Sequence, residues 1–193
     1  MATKKQQIEF VKAVYPAAYN LYKCDSIHPV FVTAQAALET GWKLNKPGNL
    51  FGITKGSWNG ETALLYTREV HKTETVKYYA PERVVSVMPH KDGGFEYYLY
   101  RLFRVYDSME ACLDDHMSTL KGKGYQDAWP YRKDAKEYAK RVVDVVGSKY
   151  ATDPDYASVM SGVIDTIENR LNDIRDEIIS TNCRDSNIFF RKL

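Results

Sequence analysis

The 193-residue chain predicts an α+β fold, mainly α, in which helices surround an inserted antiparallel β lobe. Three observations predict it. Apolar residues recur at helical spacing from about residue 6 to residue 40. Residues 61–106 are instead rich in β-branched and aromatic side chains interrupted by turn signals. Helical spacing then returns from Ser108. The length suits one compact domain, expected over residues 1–175 with the lobe at about 61–106, followed by a tail at 176–193.

In chain order, Ile8, Val11, Val14, Ala18 and Leu21 share one helical stripe. Pro16 falls inside it, which predicts a kink or two consecutive helices. Asp25, Ser26 and Pro29 mark a break and a fresh start. From Pro29 to Thr40 nearly every residue is apolar or small, as in a core helix, and Gly41 is placed to end it. Lys46 to about Gly60 is rich in Gly, Asn and Pro and predicts irregular loop. Strand-like runs follow at 63–70, 75–79, 84–87 and 95–106, with turns at Pro89 and at Asp92-Gly93-Gly94. Ser108 can cap a helix carrying Met109, Cys112, Leu113, His116 and Leu120. A further helix is expected from Asp134 to Val146, ended by Gly147, and a long one after the Asp153-Pro154 cap. Its pattern weakens beyond Asp176.

Composition narrows the function classes. The 27 basic and 25 acidic residues leave a net charge of +2 with no basic block, which argues against nucleic acid. No apolar run approaches a membrane span, and the first residues do not form a secretory signal. Cys24, Cys112 and Cys183 are widely spaced free thiols in this reading; Cys112 with His116 is a weak candidate thiol–imidazole pair. Four scattered His, with no HExxH and no phosphate loop, offer no metal or cofactor site. Tyrosine is abundant, 15 residues, and pairs a flat apolar ring with a hydroxyl, which suits sugars as well as any wet interface.

Glu39 is the residue that asks for an explanation. A carboxylate ending an otherwise apolar helix is paired, protonated, or held at a cleft edge. Apolar surroundings raise its pKa, the condition under which a general acid keeps a proton near neutral pH. The plain alternative is an ion pair with Lys43 or Arg68. Glycoside hydrolysis commonly needs a second carboxylate, and Glu61, Glu69 and Glu74 all fall in the predicted lobe.

The segment Ala34-Gln35-Ala36-Ala37-Leu38-Glu39-Thr40-Gly41-Trp42 closely resembles the signature of glycoside hydrolase family 73, the endo-β-N-acetylglucosaminidases of bacterial autolysins, flagellar wall hydrolases and phage lysins. Further matches follow in order: Asn49-Leu50-Phe51-Gly52-Ile53, Trp58-Asn59-Gly60, Thr67-Arg68-Glu69, Phe103 to Ser108, and Tyr150-Ala151-Thr152-Asp153-Pro154-Asp155-Tyr156. They span about Thr33 to Ile164, and six motifs in order are specific.

The resemblance implies a lysozyme-like helical domain with a β lobe, and cleavage of the β-1,4 bond between N-acetylglucosamine and N-acetylmuramic acid in peptidoglycan. It implies Glu39 as catalytic acid and Glu69 as second carboxylate. It also implies a substrate contact from Tyr150; Tyr125, Trp42, Asn49, Phe51 and Trp58 are further candidates by their chemistry, although Trp42 and Phe51 equally suit core packing and Asn49 equally suits a loop turn. The glycan strand is the expected partner of a monomer acting on the cell wall, delivered by phage lysis, a phage particle or a secretion machine. A muramidase or lytic transglycosylase on the same fold, and a non-catalytic glycan-binding or assembly protein, are the alternatives. His116 departs from the family, which commonly has Tyr there, and the region 70–102 is longer than in many members.

Overall fold

The computed structural model describes residues 2–44, 48–122, 124–146 and 155–181. The chain divides into two compact units, a helical one made of Met1–Asn45 with Ser108–Leu193, and an inserted one made of Lys46–Asp107.

The helical unit begins with α1, Lys4–Tyr22, opened by a reciprocal capping box between Thr3 and Gln6. Pro16 lies inside α1, yet one helix runs through it rather than two. Proline in a helix interior costs about 3 kcal/mol. Here Phe10, Val11 and Val14 before it and Ala17 and Ala18 after it are all buried, so packing on both sides holds the helix together.

Helix α2, Pro29–Thr40, starts with Pro at its first position and His28 as cap, and ends at Gly41 in the left-handed conformation (φ 59°). Residues Pro29 to Ala37 are buried without interruption, as an all-apolar helix predicts. Helix α3, Met109–Lys121, is capped by Ser108, whose Oγ accepts from the Ala111 N–H at 3.1 Å. A 3-10 turn at Trp129–Tyr131 leads to α4, Ala135–Val146, where the Asp134 carboxylate accepts from the N–H groups of Lys136 and Glu137.

Helix α5, Tyr156–Thr181, buries Tyr156, Met160, Ile164, Ile167 and Ile174 on one stripe. Each such fully buried side chain contributes about 1.5–3 kcal/mol. Val159 lies off the stripe and is exposed. The helix continues past Asp176, where the sequence pattern weakens. The expected signals at Gly147 and Asp153-Pro154, and the last residues of the tail, lie outside the described residues.

The inserted unit holds three antiparallel strands, β1 Thr62–His71, β2 Arg83–Pro89 and β3 Phe95–Arg104, in the order β1-β3-β2. The β2–β3 hairpin turns at Asp92-Gly93-Gly94 as expected. The run 75–79 is not a strand, although its composition predicts one. It forms part of a strap, 72–82, tied to one sheet face: the Tyr97 hydroxyl accepts from Val76 N–H and donates to the Thr73 carbonyl, each at 3.0 Å. Bonding to a tyrosine side chain replaces ladder pairing. The unit also begins earlier than the predicted lobe. The loop before β1 is bound to β3 by a Thr54–Phe103 bridge and by Asn49, so both belong to one body.

Candidate active site

Of the predicted site residues, Glu39, Trp42 and Tyr125 belong to the helical unit, and Asn49, Phe51, Trp58 and Glu69 to the inserted one. Tyr150 lies outside the described residues.

Glu39 occupies the last turn of α2. It makes no ion pair or hydrogen bond among the described residues; Arg68, one candidate partner, instead bonds Glu96 at 2.9 Å. Desolvation raises the Glu39 carboxyl above its ordinary pKa. Glu39 is exposed to solvent, so this is an accessible carboxyl that holds its proton more tightly than an ordinary glutamate does. The backbone beyond it is sharply turned. Trp42 has φ 65°, a left-handed conformation uncommon for so large a side chain, and its N–H donates to the Ala37 carbonyl at 2.9 Å. That bond closes the helix just after the carboxylate. The Trp42 ring meets Phe10 edge-on at 5.7 Å and lines a groove of about 720 Å³ with Gln6, Leu38, Val159 and Val163. It packs and lines at once.

Below Glu39, one helical turn earlier, Gln35 is buried, and His116 Nε2 is 2.8 Å from Gln35 Oε1. Desolvation pulls His116 down to about 4, so it is neutral at physiological pH. The sequence paired His116 with Cys112 instead. Cys112 is fully buried and His116 is engaged with Gln35, so this pair presents no thiol nucleophile. The spacing along α3 could not reveal a partner on α2. Tyr138 was also missed: its hydroxyl is buried without a hydrogen-bond partner among the described residues, and its ring meets Phe31 edge-on. Tyr125, in the turn after α3, is half-buried and contributes to raising the Tyr138 pKa.

In the inserted unit, Glu69 is heavily partnered. It pairs with Arg101, accepts a hydrogen bond from the Tyr78 hydroxyl at 3.2 Å, and lies 3.3 Å from His71 Nε2. Arg101 is shared with Glu82, which also accepts from the Leu102 N–H. Asn49 takes the loop-shaping role: its amide donates to the carbonyls of Ile53 and Arg104 and accepts from Ile53 N–H. Phe51 is half-buried. Trp58 is half-exposed, with its indole N–H on the Glu61 carbonyl and Arg104 stacked over its ring. A Cβ on Gly60 would meet the Trp58 ring at 2.6 Å, which accounts for the glycine in Trp58-Asn59-Gly60.

Residues 15–169 match the family model described as mannosyl-glycoprotein endo-beta-N-acetylglucosaminidase. The chain belongs to glycoside hydrolase family 73. It is 30% identical over 159 residues to peptidoglycan hydrolase FlgJ of Pseudomonas aeruginosa, covering 77% of this chain and 34% of that protein. It is 28% identical over 166 residues to a probable N-acetylmuramidase of Lactococcus lactis subsp. cremoris, covering 80% and 32%. The chain thus spans about a third of the length of these curated relatives. Among solved structures, the catalytic domain of the autolysin Auto from Listeria monocytogenes superposes with TM-score 0.62 at 26% identity, covering 87% of this chain and 88% of that one. The mainly α fold with a β lobe is the family 73 fold.

Proposed function

We propose that this family 73 domain hydrolyses the glycan strand of peptidoglycan outside the cytoplasm, cutting the β-1,4 bond between N-acetylglucosamine and N-acetylmuramic acid. The observation that carries the reading is Glu39: an unpaired, solvent-reaching carboxyl at the end of a buried helix, with its pKa raised by desolvation. In this reading it protonates the leaving glycosidic oxygen. Glu69 is the proposed second carboxylate. Arg101 and Tyr78 hold its oxygens, leaving it to activate water or to hold charge while the substrate's own acetamido group assists. Tyr125, Trp42 and Trp58, with Tyr150, supply the proposed sugar contacts, and Tyr150 is carried by its motif alone. Among the described residues no helix is long and apolar enough to cross a membrane.

A muramidase is the second reading, favoured by the name of the Lactococcus relative. Purified peptidoglycan treated with wild type and Glu39→Gln separates them by mass analysis of the new reducing ends. Ends in N-acetylglucosamine from wild type and none from the variant are expected. Ends in N-acetylmuramic acid would move the bond, and full activity in the variant would move the acid. An intact wall with both proteins would leave a glycan-binding protein.

A further inference from the structure

The sheet of the inserted unit has two unlike faces. Period-two alternation puts Thr67, Glu69, Tyr97, Leu99 and Arg101 on one, where Tyr97 and Leu99 are buried and the strap 72–82 is bonded across. The other face is open and aromatic. Tyr66 stands directly opposite Tyr100, and Arg83 stands opposite Tyr100 from the far side. Tyr66 is 56% exposed; its ring lies nearly parallel to Tyr98 (27°, 6.4 Å) and 5.4 Å from Tyr100. The Arg83 guanidinium lies over the Tyr100 ring at 4.1 Å. Arg68, next to this row, is largely exposed, while its partner Glu96 is mostly covered and also accepts from the Tyr98 hydroxyl.

We propose that this face is a second peptidoglycan-binding surface, on which sugar rings stack against Tyr66, Tyr98 and Tyr100 and stem-peptide carboxylates meet Arg83. The proposal rests on peptidoglycan being the substrate. Three features select this occupant. Exposed apolar patches on soluble proteins mark binding sites, and this one is built of tyrosines, whose rings pack on apolar sugar faces while their hydroxyls bond the edges. Arg83 has no carboxylate partner among the described residues, and a guanidinium matches a carboxylate with two parallel hydrogen bonds. A second copy of the same face offers Arg83 no free carboxylate from Glu96, which is already bound to Arg68 and Tyr98.

The test uses Tyr66→Ala with Arg83→Ala, both exposed positions. Binding to insoluble peptidoglycan is measured by co-sedimentation, with Glu39→Gln added so that the wall is not consumed. Hydrolysis of soluble, short glycan fragments is measured without it. Binding roughly tenfold weaker, with the soluble rate unchanged, is expected; Tyr66→Phe, which keeps the ring, retains binding. Unchanged wall binding overturns the proposal, as does an equal loss on soluble and insoluble substrate. A change only in self-association, seen by sedimentation velocity, assigns the face to a second copy and overturns it too. If wild type cleaves neither substrate but the binding difference holds, the hydrolase reading fails and the surface stands.

Discussion

At the scale of single residues, Glu39 and His116 have opposite pKa shifts from the same cause, loss of hydration. For Glu39 the folded state holds the proton more tightly than the unfolded chain does. Its contribution to stability is full below the unfolded pKa and is lost as pH rises through the folded one. Glu39→Gln at pH 7 therefore leaves Tm unchanged or raised, while turnover falls by about 10²–10⁴-fold. The alkaline limb of the wild-type pH–rate profile lies above the ordinary carboxylate range, and a limb inside that range would sink the acid assignment. His116 runs the other way. Its folded pKa is about 4 against 6.5 unfolded, so stability present above pH 6.5 is lost as pH falls toward 4. His116→Asn keeps a donor for Gln35 but does not titrate there, so the Tm-versus-pH slope between 6.5 and 4 is shallower in the variant. An identical slope would refute the desolvated, neutral imidazole. Glu39 was legible in the sequence because a lone carboxylate in an apolar helix violates a simple rule. The Gln35–His116 bond was not, because it joins residues 81 apart on two helices.

At the scale of elements, local rules decided most boundaries, and the exceptions have physical causes. The Ser108 cap, the Pro29 start and the Gly41 stop act within a few residues, so composition reveals them. At Pro16 one helix continues where two were one expectation, and the run 75–79 was misread because side-chain bonding overruled local preference. The β2–β3 hairpin offers a sharp test. Gly94 has φ 82°, and a Cβ there would collide with the His71 carbonyl oxygen, a backbone atom that cannot step aside. Gly94→Ala is expected to cost about 1–3 kcal/mol. At roughly 2–4 °C per kcal/mol for a chain of this size, Tm drops by several degrees. No change in Tm would mean that the turn relaxes freely.

At the scale of the whole molecule, the two units differ in how they are held together. Among the described residues, the helical unit buries long stripes from α1, α2, α3 and α5, whereas the inserted unit fully buries little beyond Leu50, Tyr97 and Leu99 and leans on hydrogen bonds and ion pairs. Regions with few buried apolar contacts open at lower free energy. Native-state hydrogen exchange is therefore expected to be faster in β1, β2 and β3 than in α2 and α5. Equal protection would show that the units unfold as one.

The helical texture, the β texture between the helices, the family and the carboxylate at the end of α2 could all be read from sequence alone. These depend on spacing within an element or on contiguous motifs, and both survive in a linear string. Tertiary structure alone decided that Arg68 pairs with Glu96. It decided that Asn49 is spent on the loop backbone, that Glu69 sits among Arg101, Tyr78 and His71, and that Tyr66, Tyr98 and Tyr100 share one sheet face with Tyr66 exposed. Each of these is a choice among several chemically equivalent partners, made by strand register and burial. A sequence names the candidates; the register selects one.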